Sequence, residues 1–238
     1  MHITEEANDL RIHAPRMLCD DPLGDIPAPL PNKHFFMGVI GSAGSGKSSF
    51  MVSLLSQKGK DKIYRKVFEN VFIVAPSHSL ASLKSNVFRN HPEDKIYHGL
   101  NPETLLDIKE KTLADAEEGF NSLVIFDDQT VHLKSKENER LLRDLIYNRR
   151  HYHLSIMILA QSYSQIPLTI RKTLSHFAVF KPRNKKELIN IFDEIIFRSK
   201  EEADAIMRYT FQDKHDFMFG VTESGELYRT FNKLIVSD

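Results

Sequence analysis

One octapeptide constrains this chain more than any other segment: Gly41-Ser42-Ala43-Gly44-Ser45-Gly46-Lys47-Ser48. It fits G-x-x-x-x-G-K-[ST] at every fixed position. It also stands where that pattern has physical meaning, between the apolar run 35–40 and the segment 48–57, which carries Phe50, Leu54 and Leu55 on one side of a helix. Glycines in such a turn let backbone N–H groups converge on an anion without Cβ obstruction. The helix that follows adds its dipole and its unpaired first-turn donors. Gly41, Ser42, Ala43, Gly44, Ser45, Gly46, Lys47, Ser48 and Ser49 are therefore expected to cradle nucleotide phosphates. Lys47 would reach the β and γ groups and the Ser48 hydroxyl would ligate Mg²⁺. ATP and Mg²⁺ are the expected cofactors.

The rest of the chain reads as the fold such a loop requires. Apolar runs at 71–75, 123–126, 154–160 and 177–180 alternate with helix-like segments at 102–117, 137–150, 185–197 and 200–211. Pro102 suits a first helical turn, and Leu141, Leu142, Leu145 and Ile146 share one helix face. Continuous apolar strands alternating with helices indicate a parallel sheet covered on both faces. Segments 217–219 and 227–231, around Glu223-Ser224-Gly225, add an antiparallel hairpin. The expected class is α/β, a P-loop NTPase with a mainly parallel central sheet, helices on both faces and a C-terminal antiparallel hairpin. With 238 residues, a single ATPase domain spanning 34–238 is expected. Before it, five of the ten prolines fall between Pro15 and Pro31. Fixed φ and missing N–H groups make 1–33 an extended arm, expected to pack on the body or on a neighbouring subunit.

Composition removes several classes. Cys19 is the single cysteine, so neither an intrachain disulfide nor a thiolate metal cluster is available. Lys and Arg together number 32 and so do Asp and Glu, giving no bulk charge with which to coat nucleic acid. A local basic patch is compatible with that balance. The stretch 1–9 is polar and acidic, unlike a signal peptide. Its longest apolar runs fall far short of the ~18–20 residues that cross a bilayer. A soluble, intracellular protein without a membrane partner is expected.

A second acidic site follows from Leu123-Val124-Ile125-Phe126-Asp127-Asp128, four apolar residues ending in two acids. Beside a phosphate loop this reads as a Walker B strand, with Asp127 holding Mg²⁺ through water. Asp128 is placed to orient or deprotonate an attacking water. The run 71–75 adds a strand between the loop strand and the Walker B strand in sequence, as in P-loop ATPases with an additional central strand. Neither GTPase signature is present, since Asp127 is followed by Asp128-Gln129-Thr130 and Asn184-Lys185-Lys186 ends in Glu187.

Arg149-Arg150-His151 leads through the apolar strand 154–160 to Gln161-Ser162. Gln161 should lie at the carboxyl edge of the sheet, where α/β proteins bind ligands, and its amide is suited to hold the lytic water or sense the γ-phosphate.

With these motifs in place the chain resembles the FtsK–HerA superfamily, and within it the poxvirus-type genome-packaging ATPases of large double-stranded DNA viruses. The resemblance rests on the phosphate loop, on Phe126-Asp127-Asp128, and on Arg150-His151 before the strand ending in Ala160-Gln161-Ser162. It continues through Ile166-Pro167, Ile170-Arg171-Lys172, the run 177–181 and Arg183-Asn184-Lys185-Lys186-Glu187, covering 35 to about 200. It implies a homo-oligomeric ring, a pentamer or hexamer. Each site lies between subunits, and Arg150, more than Arg149, completes the neighbour's site. Asp128, a shorter acid that still reaches a water, stands where cellular members commonly carry Glu.

The implied activity is a Mg²⁺-dependent ATP hydrolase that translocates double-stranded DNA, most naturally into a viral capsid whose protein is a further partner. The place of action would be the host-cell assembly site or the virion. A segregation, conjugation or helicase-type motor is the nearest alternative, and a non-hydrolysing nucleotide-binding scaffold subunit is one of another class. Three basic groups are candidates for DNA: Lys134 and Lys136; Lys58, Lys60, Lys62, Arg65 and Lys66; and Lys181, Arg183, Lys185 and Lys186. His151 and His153 lack a third ligand at metal-binding spacing.

Overall fold

The computed structural model describes residues 21–56, 62–76, 88, 90–182, 184–196 and 199–236. Within them, in chain order, run β1 (Phe36–Ile40), α1 (Lys47–Ser56), β2 (Asn70–Val74), β3 (Ile96–Tyr97), α2 (Pro102–Glu117), β4 (Ser122–Asp127), α3 (Lys136–Asn148) and β5 (Leu154–Ala160). There follow α4 (Leu168–Arg171), β6 (His176–Phe180), α5 (Lys185–Ile191), a π-helical turn (Phe192–Ile196), α6 (Lys200–Thr210), β7 (Phe217–Val221), β8 (Glu226–Arg229) and β9 (Asn232–Lys233). The strands form one sheet in the order β3-β2-β4-β5-β1-β6-β7-β8-β9. Pairing is parallel from β3 to β6 and antiparallel from β6 to β9. This is the expected α/β class.

Every residue of β1 and β5 is buried, as a strand covered on both sides requires. Successive side chains divide between two cores because the strand period is two. Phe36 and Ile40 of β1, Val124 and Phe126 of β4, and Leu154, Ile156, Ile158 and Ala160 of β5 face the first core. There they meet Leu105 and Ile108 of α2, Leu142, Leu145 and Ile146 of α3, and Ile206 of α6. Met37, Val39, Leu123, Ile125, Met157 and Leu159 face the second core, covered by Phe50, Met51 and Leu54 of α1. Ile26 and Leu30 also pack there, 8% and 6% exposed, so residues 21–33 of the expected arm lie on the body. Residues 1–20, with Cys19, lie outside the described residues.

Local chemistry sets the element ends. Asn101 accepts a hydrogen bond from the Thr104 N–H at 2.8 Å, and Pro102 occupies the first turn of α2, where a missing donor costs nothing. Ser199 and Glu202 form a reciprocal capping box on α6. The helix expected over 185–197 is α5 followed by the π turn, because the wider turn keeps Phe192 and Ile195 in the core while Glu194 meets Arg171. That carboxylate accepts from Arg171 Nε at 2.8 Å and Nη2 at 2.5 Å. The expected hairpin is a three-stranded extension, since Thr230 at φ 59° turns the chain between β8 and β9. The pair β2–β3 was not expected from the sequence.

Candidate active site

The sheet order brings three motif-bearing strands side by side. The strand between β4 and β1 in space is β5, not the run 71–75, which forms β2 on the far side of β4. In register, Asp127 is level with Leu159, and Ala160 with Ile40. The phosphate loop, Gln161 and Asp127-Asp128 thus leave the sheet at one edge, the carboxyl ends of three adjacent parallel strands.

The loop is shaped by close approach. A Cβ on Gly41 would stand 2.5 Å from Ser45 Oγ and 2.8 Å from Phe180 Cβ, so this position has room for glycine alone. Gly46, at φ 119°, has a conformation that side chains rarely adopt and passes directly into the first turn of α1. Phe50 N–H closes the first helical hydrogen bond to the Gly46 carbonyl at 2.8 Å, and the N–H groups before it face the loop. Lys47 Nζ donates to the carbonyls of Gly41 at 2.6 Å and Ser42 at 3.2 Å. Burial holds the Lys47 ammonium below its ordinary value, while Asp127 and Asp128 act in the opposite sense. Ser45 Oγ is buried and has no hydrogen-bond partner among the described residues. A buried hydroxyl without a protein partner, beside backbone donors, is chemically suited to meet an anion.

Beside the loop, Gln161 Nε2 donates to Asp128 Oδ1 at 2.9 Å, both side chains exposed at the edge. Asp128 is held at φ 54°, a conformation that costs a non-glycine residue about 1–3 kcal/mol and concentrates at functional sites. The turn is braced from below by Gln129, 3% exposed, whose amide donates to the Asp127 carbonyl at 3.3 Å and accepts from Leu100 N–H at 3.0 Å. Sequence reasoning missed this brace, and it missed Glu187. That carboxylate accepts from the hydroxyls of Ser162 and Ser164. It lines a 460 Å³ cavity together with Gly41, Ser42 and Gln161. His215 was missed as well: its Nδ1 lies 3.1 Å from the Ser45 carbonyl, a contact spanning 170 residues.

Arg150 is elsewhere. It sits in the turn between α3 and β5, at the amino edge of the sheet. The seven residues of β5 put it roughly 23 Å from the phosphate loop of its own chain, at ~3.3 Å per residue. The turn is rigidly built: Leu154 N–H donates to Arg149 O at 2.8 Å, and His153 N–H to Arg150 O at 3.3 Å. His153, at φ 44°, stacks on His34 with ring centres 5.4 Å apart and planes 10° apart. Arg150 is exposed, whereas Arg149 folds back to donate to the Ile146 carbonyl at 2.9 Å. Burial, and then Arg150, hold the Arg149 guanidinium below its ordinary value.

The basic groups are dispersed. Lys134 ends a short 3-10 turn, and Lys136 is the first residue of α3 instead of a loop residue. Lys58, Lys60 and Arg183 lie outside the described residues. No helix among the described residues is long and apolar enough to cross a membrane.

Against known proteins, the chain is similar to the genome packaging NTPase B204 from Sulfolobus turreted icosahedral virus 2. Its sulfate complex superposes with a TM-score of 0.62 at 16% identity, covering 86% of this chain and 98% of that one. The ATPγS complex of the same protein gives 0.58 at 14% identity, covering 82% and 96%. At such identities the likeness is one of fold. In sequence, the chain is 28% identical over 155 residues to the DNA packaging protein OPG160 of Vaccinia virus (strain Copenhagen), covering 61% of this chain and 53% of that protein. It therefore spans about half the length of the curated relatives it matches. The family description "Poxvirus A32 protein" matches residues 28–216, most of the chain, and the chain belongs to that family.

Proposed function

We propose that this protein is a Mg²⁺-dependent ATPase that acts as a homo-oligomeric ring and couples hydrolysis to translocation of double-stranded DNA into a viral capsid. The observation that carries this reading is the convergence of Lys47, Asp127, Asp128 and Gln161 at the carboxyl ends of three adjacent strands. Ser48 and Asp127 supply hard oxygen donors, and no group of three or more His, Cys, Asp or Glu among the described residues is arranged to hold a metal. Such a pair suits Mg²⁺, which keeps waters and takes phosphate oxygens as ligands. Asp128 and Gln161 together handle the attacking water. Arg150, at the far edge of its own sheet, works on the phosphates of the next subunit, where a trans arginine is worth about 10³–10⁵ in rate. Kinship with a DNA packaging protein and the fold of a packaging NTPase favour DNA translocation over segregation or conjugation.

The test is ATP hydrolysis by the full chain with and without long double-stranded DNA, with oligomeric state followed in the same samples. Hydrolysis that rises with DNA and tracks a ring supports the motor. ATP binding with no turnover under any DNA or oligomer condition overturns it and favours a scaffold subunit.

A further inference from the structure

The solvent face of α3 carries a row of cations that the nucleotide chemistry leaves unused. Asn138, Leu141, Leu142, Leu145 and Ile146 fix the inner face of this helix in the core. On the outer face Lys136, Arg140, Arg143 and Tyr147 follow at intervals of four, three and four residues, which stacks them in a single row. Lys136, Arg140 and Tyr147 are exposed, and Arg143 is partly covered. At 1.5 Å of rise per residue the row is roughly 16 Å long.

The row is electrically unbalanced. Lys136, Arg140 and Arg143 make no side-chain ion pair or hydrogen bond among the described residues. The acids around them have partners of their own. Asp144 accepts from Lys109 Nζ of α2 at 2.7 Å, Asp107 pairs with Lys111 at 2.9 Å, and Glu139 accepts from the Thr169 hydroxyl. Glu137 is exposed but stands about 100° round the helix from the row. In a chain whose 32 basic and 32 acidic residues cancel, this is a local excess of positive charge. Of the basic groups named from the sequence, Lys136 alone belongs to it.

Beside the row, Lys109, Arg140, Leu141, Arg143, Asp144 and Tyr147 line an open groove of 490 Å³. A guanidinium presents its N–H donors in a rigid fork that matches phosphate oxygens, and a tyrosine hydroxyl donates to phosphate as well. A row of roughly 16 Å spans about five base-pair steps of a duplex at ~3.4 Å each. Regularly spaced cations without counter-ions suit a regular polyanion.

We propose that the outer face of α3, centred on Arg140 and Arg143, is where this protein grips the phosphate backbone of duplex DNA. The proposal rests on the DNA-translocating reading and names the surface that reading requires. Its place in the chain couples grip to hydrolysis. α3 begins eight residues after Asp128 and ends at Asn148, next to Arg149-Arg150. One helix thus carries the DNA contacts between the Walker B turn and the arginine that serves the next subunit, and a shift of either end moves the row.

Fluorescence anisotropy of two labelled duplexes of unrelated sequence, titrated with the full chain over a series of salt concentrations, tests this. The proteins are the unaltered chain, the double variant Arg140→Ala with Arg143→Ala, and Arg208→Ala, which removes an exposed charge from α6. The double variant should lose about tenfold or more in affinity at low salt, equally on both duplexes. Its slope of log affinity against log salt should shrink by about 2, one for each lost phosphate contact. Arg208→Ala should change neither quantity. If the double variant is less stable in denaturation, Arg140→Gln with Arg143→Gln keeps much of each stem's packing and replaces it. Full affinity and slope in the double variant overturn this surface and leave the motor reading in place. Loss of ring assembly with unchanged duplex affinity also overturns it and makes the face a contact between copies. A loss confined to one duplex does the same, since phosphate contacts carry no sequence information. Failure of the motor reading looks different: the unaltered chain hydrolyses ATP yet binds neither duplex at any salt, and the surface falls with it.

Discussion

The two edges of the parallel sheet are built from the same devices with opposite chemistry. At the carboxyl edge, Asp128 leaves β4 at φ 54° and shares a hydrogen bond with Gln161. At the amino edge, His153 precedes β5 at φ 44° and stacks on His34 beside Arg149 and Arg150. One edge gathers carboxylates, an amide and a phosphate cradle, and the other gathers cations. Neither edge alone holds both the cradle and the arginine. In the proposed ring, each edge would meet its charge complement on the other edge of a second copy.

The largest effects should come from breaking one edge at a time. Lys47→Ala is expected to abolish ATP binding and hydrolysis together, whereas Arg150→Ala should bind ATP and lose about 10³-fold or more in turnover. Radiolabelled nucleotide binding measured beside phosphate release separates the two. If the edges are complementary halves, mixing Arg150→Ala with Asp128→Ala restores turnover at about a quarter of the heterologous ring interfaces. No recovery in that mixture would sink the idea of a trans arginine. Next in size is Asp128→Asn, expected to lower turnover by about 10²–10⁴-fold with ATP binding intact, as loss of a general base does. Unchanged turnover would move the water-handling role to Gln161 and Glu187.

Acid should act on the amino edge first. His34 is pushed down to about 4 by burial, then by His153, Arg149 and Arg150. Its folded value lies below the unfolded 6.5, so its stability contribution is complete above pH 6.5 and is lost as pH falls through 6.5 toward 4. The loss is on the order of 3 kcal/mol for this one side chain. His34→Phe should flatten that limb of a denaturation-against-pH curve, and a curve that keeps its slope would remove His34 as the cause. The smallest effects compare the two left-handed residues. Asp128→Gly should be more stable than Asp128→Ala by about 1 kcal/mol, and His153→Gly than His153→Ala by a similar amount. Equal stability within either pair, in chemical denaturation, would show that its turn relaxes.

Much of this was legible because it is local. The phosphate loop declares itself by glycines at fixed spacing, β5 by a run of seven residues of which only Ser155 is polar, and α2 by Asn101 and Pro102 at its start. What stayed hidden depends on partners distant in the chain. That β5 inserts between β4 and β1 is a matter of sheet order, which apolar runs do not encode. His34 and His153 are 119 positions apart, and Ser45 and His215 are 170 apart, so no window of sequence contains either pair. The π turn at Phe192–Ile196 followed from the Arg171–Glu194 pairing, again long-range. Glu187 gave no site signal of its own because its partners, Ser162 and Ser164, follow a different strand.

The seven buried residues of β5 have a mechanical meaning. The strand is parallel-paired to β4 on one side and β1 on the other, and its two ends carry Arg149-Arg150 and Gln161. With hydrogen bonds along both margins and no glycine or proline within it, it cannot bend like a hinge. A push at one end arrives at the other as displacement. In a ring of such subunits each interface would be joined to the next through a single stiff rod, so the state of one nucleotide would be felt next door without any loop having to move.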